Sequence, residues 1–228
     1  IGLTLNIEMS STLPMAKHHR KTNPESEPLT RGFKKKARTR QTLVDAAIRI
    51  YAEKGVGALL LNELAERAGV SNGTVYNYFK TREEVLQAVG IELANQLSHR
   101  VSAASEGIEN GAERVAVGVR MFIRQARLDP VWAAAVVRVF QHDRDIRSIV
   151  AQNLRGDLQL GLRQGVFRYQ DEMIAMGFVA SATTGAITGI LDGFDQPDYE
   201  AVVAQMLLLG LGVTPAKARR IAQMPLPE

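Results

Sequence analysis

The chain is predicted to be all-α, with a three-helix unit containing a helix-turn-helix near its N-terminus and a larger helical domain after it. Three observations predict this. Ala, Leu, Gln, Arg and Glu recur along all 228 residues, several segments repeat apolar residues at helical spacing, and valine-rich alternating stretches are missing. At 46% apolar content the chain can bury a substantial core.

Residues 1–36 mix Ser, Thr, Pro, Asn and charge, and Pro14, Pro24 and Pro28 interrupt any helical period, so a disordered basic leader is expected. The net charge of +4 resides there: residues 1–40 hold nine Lys or Arg against three Glu. Such an arm either meets nucleic-acid phosphates or is a solvated tail. Met9 and Met15 are candidate translation starts. From Ala37 the pattern changes. Leu43, Val44, Ala47, Ile48 and Tyr51 share one helical face until Gly55 and Gly57 end it.

Short helices are expected at about 61–68 and 72–78, joined by the turn Gly69-Val70-Ser71, in which Gly69 supplies a positive φ. Leu64, Ala68, Val70, Val75 and Tyr78 supply a shared core, and Ala65 permits a close crossing. Thr81 and Glu84 form a capping box that opens a long helix. Asp129-Pro130 and Thr214-Pro215 each place a capping side chain before a proline, so further helices begin near 130 and 215. Others are expected at about 111–128, 144–164, 171–192 and 198–210. The domains are expected at 37–89 and 90–228.

The segment LNELAERAGVSNGTVYNYF, residues 61–79, carries the functional signal. Its second helix is polar on the outside, and Asn72, Thr74, Tyr76, Asn77 and Tyr78 offer hydrogen-bonding groups that suit base edges and phosphates in a major groove. The bland reading is a helical hairpin with surface polars. The run from Ala37 to Val89, including DAAIRIYAEKG, ELAERAGVSNGTVYNYF and KTREEVLQAV, resembles the DNA-binding domain of the TetR/AcrR family. That resemblance implies that Asn72, Gly73 and Asn77 lie nearest the bases, Gly73 through its backbone. It implies that Thr74, Tyr76, Tyr78, Lys80 and Arg82 hold phosphates, and that Asn62 reaches DNA from the preceding helix. Leu59 and Leu60 depart from the family pattern, which commonly places Thr or Ser as a cap there.

The resemblance also implies a homodimer that binds a double-stranded DNA operator and answers to a small-molecule effector. Met173–Leu191 carries no formal charge and repeats small residues at Gly177, Ser181, Gly185 and Gly189, a ridge suited to the dimer interface. A transmembrane span has similar letters, but the glycines and hydroxyls dilute its apolarity and its flanks are acidic, so no membrane partner is expected. Phe122, Trp132, Phe140 and Phe178 are expected as effector-pocket walls, with Arg120, Arg124, Gln125 and His142 as candidate polar contacts.

No cofactor and no metal site are expected. Cysteine is absent, His18 and His19 lie in the leader, and no GxSxG, HExxH or phosphate loop occurs, so catalysis has little support. His142, Asp143 and Asp145 are the nearest approach to a polar cluster. The first sixteen residues lack the charge and apolar block of a secretory signal, and a cytoplasmic protein is expected. Rival readings are a DNA-binding protein without an effector and a helical enzyme.

Overall fold

The computed structural model describes residues 31–55, 57–142, 149–194 and 196–227, except the side chains of Arg31, Gln141 and His142. The expectations for residues 1–30, for His142 as a ligand and for Asp143 and Asp145 therefore lie outside the described residues. Ten α-helices and no strand occur among those described. They are α1 (Arg31–Lys54), α2 (Leu61–Ala68), α3 (Asn72–Tyr78), α4 (Arg82–Ala104), α5 (Gly111–Leu128), α6 (Pro130–His142), α7 (Ile149–Arg163), α8 (Glu172–Leu191), α9 (Tyr199–Gly210) and α10 (Pro215–Ala222).

Local chemistry sets most boundaries. The Ser71 hydroxyl accepts the Thr74 N–H, that of Thr81 accepts the Glu84 N–H, and the Asp129 carboxylate accepts the Trp132 N–H at 2.9 Å. The Glu84 carboxylate reaches back to the Lys80 N–H at 2.6 Å, closing the box one residue earlier than the N-cap. Two expectations are corrected. The α1 helix begins at Arg31 rather than Ala37: no proline lies within 31–54, and Thr39 and Thr42 return their hydroxyls to carbonyls four residues back, so Lys34–Lys36 ride on a helix. Thr214 makes no side-chain cap, and α10 starts on the fixed φ of Pro215 alone.

The first core joins Leu43, Ala46, Ala47, Ile50 and Tyr51 of α1 to Leu64, Val75, Phe79, Val85 and Val89. Ala135 and Val131 of α6 also pack there, so the C-terminal half contributes to the core of the N-terminal unit. The α4 and α6 helices approach closely at Gly90, where a Cβ would lie 2.4 Å from the Ala135 carbonyl oxygen. A second core holds α5 and α7–α10 together around Ile123, Leu158, Leu207 and Leu208. By length and composition α8 suffices to cross a bilayer, yet it packs against α5, α6, α7 and α9.

The N-terminus of α9 is pinned to α5 by Glu200, only 8% exposed, which accepts from Arg124 at 3.1 Å and Arg127 at 3.3 Å. Burial pushes the Glu200 carboxyl up, but its own backbone N–H and the two guanidinium groups outweigh this and hold it below the ordinary carboxylate range. A depressed folded pKa stabilises the protein above the unfolded value, about 4.3, and that contribution disappears as pH falls through the folded value. We expect Glu200→Gln to flatten the acid limb of urea-unfolding midpoint against pH below this point; an unaltered limb would refute the assignment.

Candidate nucleic-acid interface and sensor cavity

Gly69 ends α2 at φ 66°, and the N–H groups of Gly69 and Val70 return to the carbonyls of Glu66 and Ala65. This turn throws α3 across α2. Val75 inserts into the core, while Asn72, Gly73, Asn77 and Lys80 are exposed, Tyr76 is 50% exposed and Thr74 is half-buried. Tyr78 is half-buried and packs against the first core, so its ring has a structural duty beyond any contact with DNA. Arg82 and Asn62 are exposed. Eight of the nine sequence-predicted residues thus lie on α2, α3 and the start of α4, with Lys80 in the link between α3 and α4, and Thr74 is held by its hydroxyl 2.9 Å from that of Ser71.

The departure at Leu59 and Leu60 has a structural outcome. Leu59 is buried in the core, and Leu60, at the N-cap of α2, offers no side-chain cap. Lys80 folds back so that its ammonium donates to the Tyr76 carbonyl. Sequence reasoning missed two neighbours. Ser71 caps α3, although Ser before a short helix is a recognisable signal. Arg40 lies over the Phe79 ring, 5.5 Å from its centroid, which brings the basic start of α1 beside the end of α3. Only the long-range packing discloses the second.

A cavity of about 90 Å³ opens between α4, α5, α7 and α8. Phe122 and Phe140, two of the residues named from the sequence, line it with Val101, Val119 and Val179. The other two expected walls are elsewhere. Trp132 stands behind Phe122, edge-on at 5.7 Å between centroids, with its indole N–H toward the Leu93 carbonyl at 3.4 Å. Phe178 is 42% exposed on the outer face of α8, pressed against Gly210, where a Cβ would come within 2.6 Å of its ring. Apolarity alone did not say which helical face meets the cavity.

The polar lining was also missed. The carboxamide nitrogen of Asn153 donates to the hydroxyls of Ser98 at 2.9 Å and Ser102 at 2.8 Å. Arg114 and Asp157 form an ion pair on the cavity wall, and Arg114 also donates to the Ser105 carbonyl at 3.1 Å. Burial pushes the Asp157 carboxyl up, against the opposing pull of Arg114. Of the expected polar contacts, Arg120 faces a different cavity, Arg124 serves Glu200, and Gln125 accepts from Arg100 at 3.0 Å.

On α8, Gly177, Ser181 and Gly185 are exposed, and a Cβ on either glycine would meet nothing within 4 Å. Gly189 leaves this ridge. It is half-buried, and a Cβ there would lie 3.0 Å from the Tyr199 hydroxyl, so its smallness serves the contact between α8 and α9.

Residues 43–89, which hold this helix-turn-helix, match the bacterial regulatory proteins of the tetR family, and residues 110–224 match the tetracyclin repressor-like C-terminal domain. The chain belongs to the TetR family. It is 31% identical over 147 residues to the HTH-type transcriptional regulator BetI of Rhizobium meliloti (strain 1021), covering 62% of this chain and 72% of BetI. It is 45% identical over 51 residues to the HTH-type transcriptional regulator SrpR of Pseudomonas putida, covering 22% of this chain and 24% of SrpR. Among solved structures, RolR in complex with resorcinol superposes with a TM-score of 0.72 at 29% identity, covering 86% of this chain and 98% of RolR. The protein is a DNA-binding transcriptional regulator of the TetR family with an all-helical fold.

Proposed function

We propose that this TetR-family protein is a cytoplasmic repressor, released from its operator by a small, largely neutral aromatic effector. The observation that carries this reading is the placement of α6. Its residues Val131 and Ala135 belong to the core under the recognition helix, while Phe140 lines the cavity. An effector that prefers one position of α6 shifts the recognition unit with it, by no more than its preference between the two states.

In this reading residues 37–89 are the DNA-binding domain and 90–228 the effector and dimerisation domain. Asn72, Gly73 and Asn77 approach bases, and Thr74, Tyr76, Tyr78, Lys80, Arg82 and Asn62 position the backbone. Gly73 supports this assignment, since the fold does not need it: a Cβ there would meet only Ser71 Oγ, at 3.8 Å. Two copies would pair through the exposed face of α8 and α9, where Gly177, Ser181 and Gly185 adjoin Ile174, Phe178 and Met206. That pairing presents two recognition helices to successive major grooves of a roughly palindromic operator.

The cavity, at about 90 Å³, is smaller than the ~150 Å³ apolar cavity known to admit benzene, so it limits an occupant to one small ring at most. Its fixed charges neutralise each other, and with Asn153 donating to Ser98, the hydroxyl proton of that serine is free to point at a ligand oxygen. RolR, whose ligand is resorcinol, supports a phenolic class. The test is a binding assay on DNA upstream of the protein's own gene, titrated with resorcinol and related phenols. Wild-type protein should release DNA. Asn153→Leu should keep operator affinity yet require at least tenfold more phenol, and an unchanged titration in that variant would refute the assigned cavity.

A further inference from the structure

On the opposite side of α5 from the sensor cavity lies a second cavity of about 70 Å³, closed by α10 and the segment after it. Arg120 lines it and is 7% exposed. One of its terminal nitrogens donates to the Met224 carbonyl at 2.5 Å, but its Nε–H is buried without an acceptor, and no carboxylate among the described residues pairs with the guanidinium. Glu200, whose charge reaches it, is engaged by Arg124 and Arg127. Burial pulls the Arg120 guanidinium below its ordinary pKa, the mark of a cation short of compensation.

An arginine stays charged at any physiological pH, so this group cannot escape its burial by losing a proton. The rest of the lining is apolar, from Ile108, Val117, Ile221 and Pro225, except for Glu113. Glu113 lies two turns before Arg120 on α5, roughly 10 Å along the axis. The cavity therefore has a cationic end, where the Arg120 Nε–H lacks an acceptor, an apolar middle and an acidic residue toward the other end. At about 70 Å³ the cavity admits only a small occupant, of the size of a carboxylate of two or three carbons.

We propose that this cavity is a binding site for a small carboxylate anion, held by the Nε edge of Arg120 with its alkyl end among Val117, Ile221 and Pro225. The site is separate from the effector cavity and does not depend on what fills it. The two share α5 as a wall, with Val115, Val119 and Phe122 facing the sensor cavity and Ala116, Val117 and Arg120 facing this one. Occupancy clamps the C-terminal segment onto α5, and linkage then makes the anion a modulator of effector affinity.

The experiment titrates the full chain with sodium acetate and sodium propionate against sodium chloride at matched ionic strength. Thermal midpoint and the NMR resonance of the Arg120 Nε–H are followed. Wild-type protein should show a saturable rise in midpoint and a shift of that resonance with either carboxylate and not with chloride. Arg120→Gln should abolish the carboxylate response, and Glu113→Gln, which removes a like charge without touching the Met224 contact, should tighten acetate binding. Should Arg120→Gln fail to fold, Glu113→Gln and the resonance shift carry the test. The proposal falls if chloride acts as acetate does, if the Arg120 resonance is unmoved, or if acetate binds Glu113→Gln no more tightly than wild type.

Discussion

Gly90→Ala should destabilise the protein by about 1–3 kcal/mol and lower its thermal midpoint by several degrees, although alanine is the better helix former. In an open helix the change would add about 1 kcal/mol of stability. Here the added carbon would lie 2.4 Å from the Ala135 carbonyl oxygen, 2.5 Å from Val139 Cγ2 and 2.9 Å from the Ala135 carbonyl carbon. Two of those atoms are backbone inside α6, so relief requires α4 and α6 to separate. That separation would loosen the element proposed to carry the effector signal, and effector-induced release of DNA should weaken along with stability. Differential scanning calorimetry and the phenol titration read the two effects. A raised midpoint in Gly90→Ala would show that the crossing is looser than described.

The double variant Tyr76→Ala/Asn77→Ala should lose operator affinity by roughly 30- to 1000-fold, about 2–4 kcal/mol, while its thermal midpoint stays near that of wild type. Both side chains are exposed, and neither belongs to the core beneath α3. Tyr78 is unsuitable as a partner in this test because its ring packs against that core, so its loss would mix folding with recognition. Fluorescence anisotropy on specific and scrambled duplexes separates the two roles. Tyr76 should matter on both duplexes and Asn77 mainly on the specific one. Wild-type affinity in the double variant would dismiss α3 as the reading element.

The recognition unit was legible because its signals are local. Leu61–Ala68 and Asn72–Tyr78 fall where the periodicity and Gly69 placed them, and α4 opens at Thr81 as its capping box requires. The starts at Pro130 and Pro215 were equally readable, since proline at a first helical position acts on its own residue's φ. Beyond α4 the letters said only that apolar residues would be covered. Phe122, Phe140 and Phe178 look alike in the chain, yet two line the cavity and the third lies outward against Gly210. The same ambiguity divides the small-residue ridge, with Gly185 facing outward and Gly189 spent on Tyr199.

From the sequence alone came the helical class, most helix ends, the recognition unit and its exposed polar residues, because capping, proline and glycine act within one or two turns. The tertiary arrangement alone decided that Asn153 meets Ser98, that Arg114 meets Asp157 across 43 positions, that α6 joins the N-terminal core and that Arg120 is buried with no carboxylate partner among the described residues. Each of these depends on which faces of distant helices meet, and that choice is made by packing all the helices at once, not by any residue's own preference.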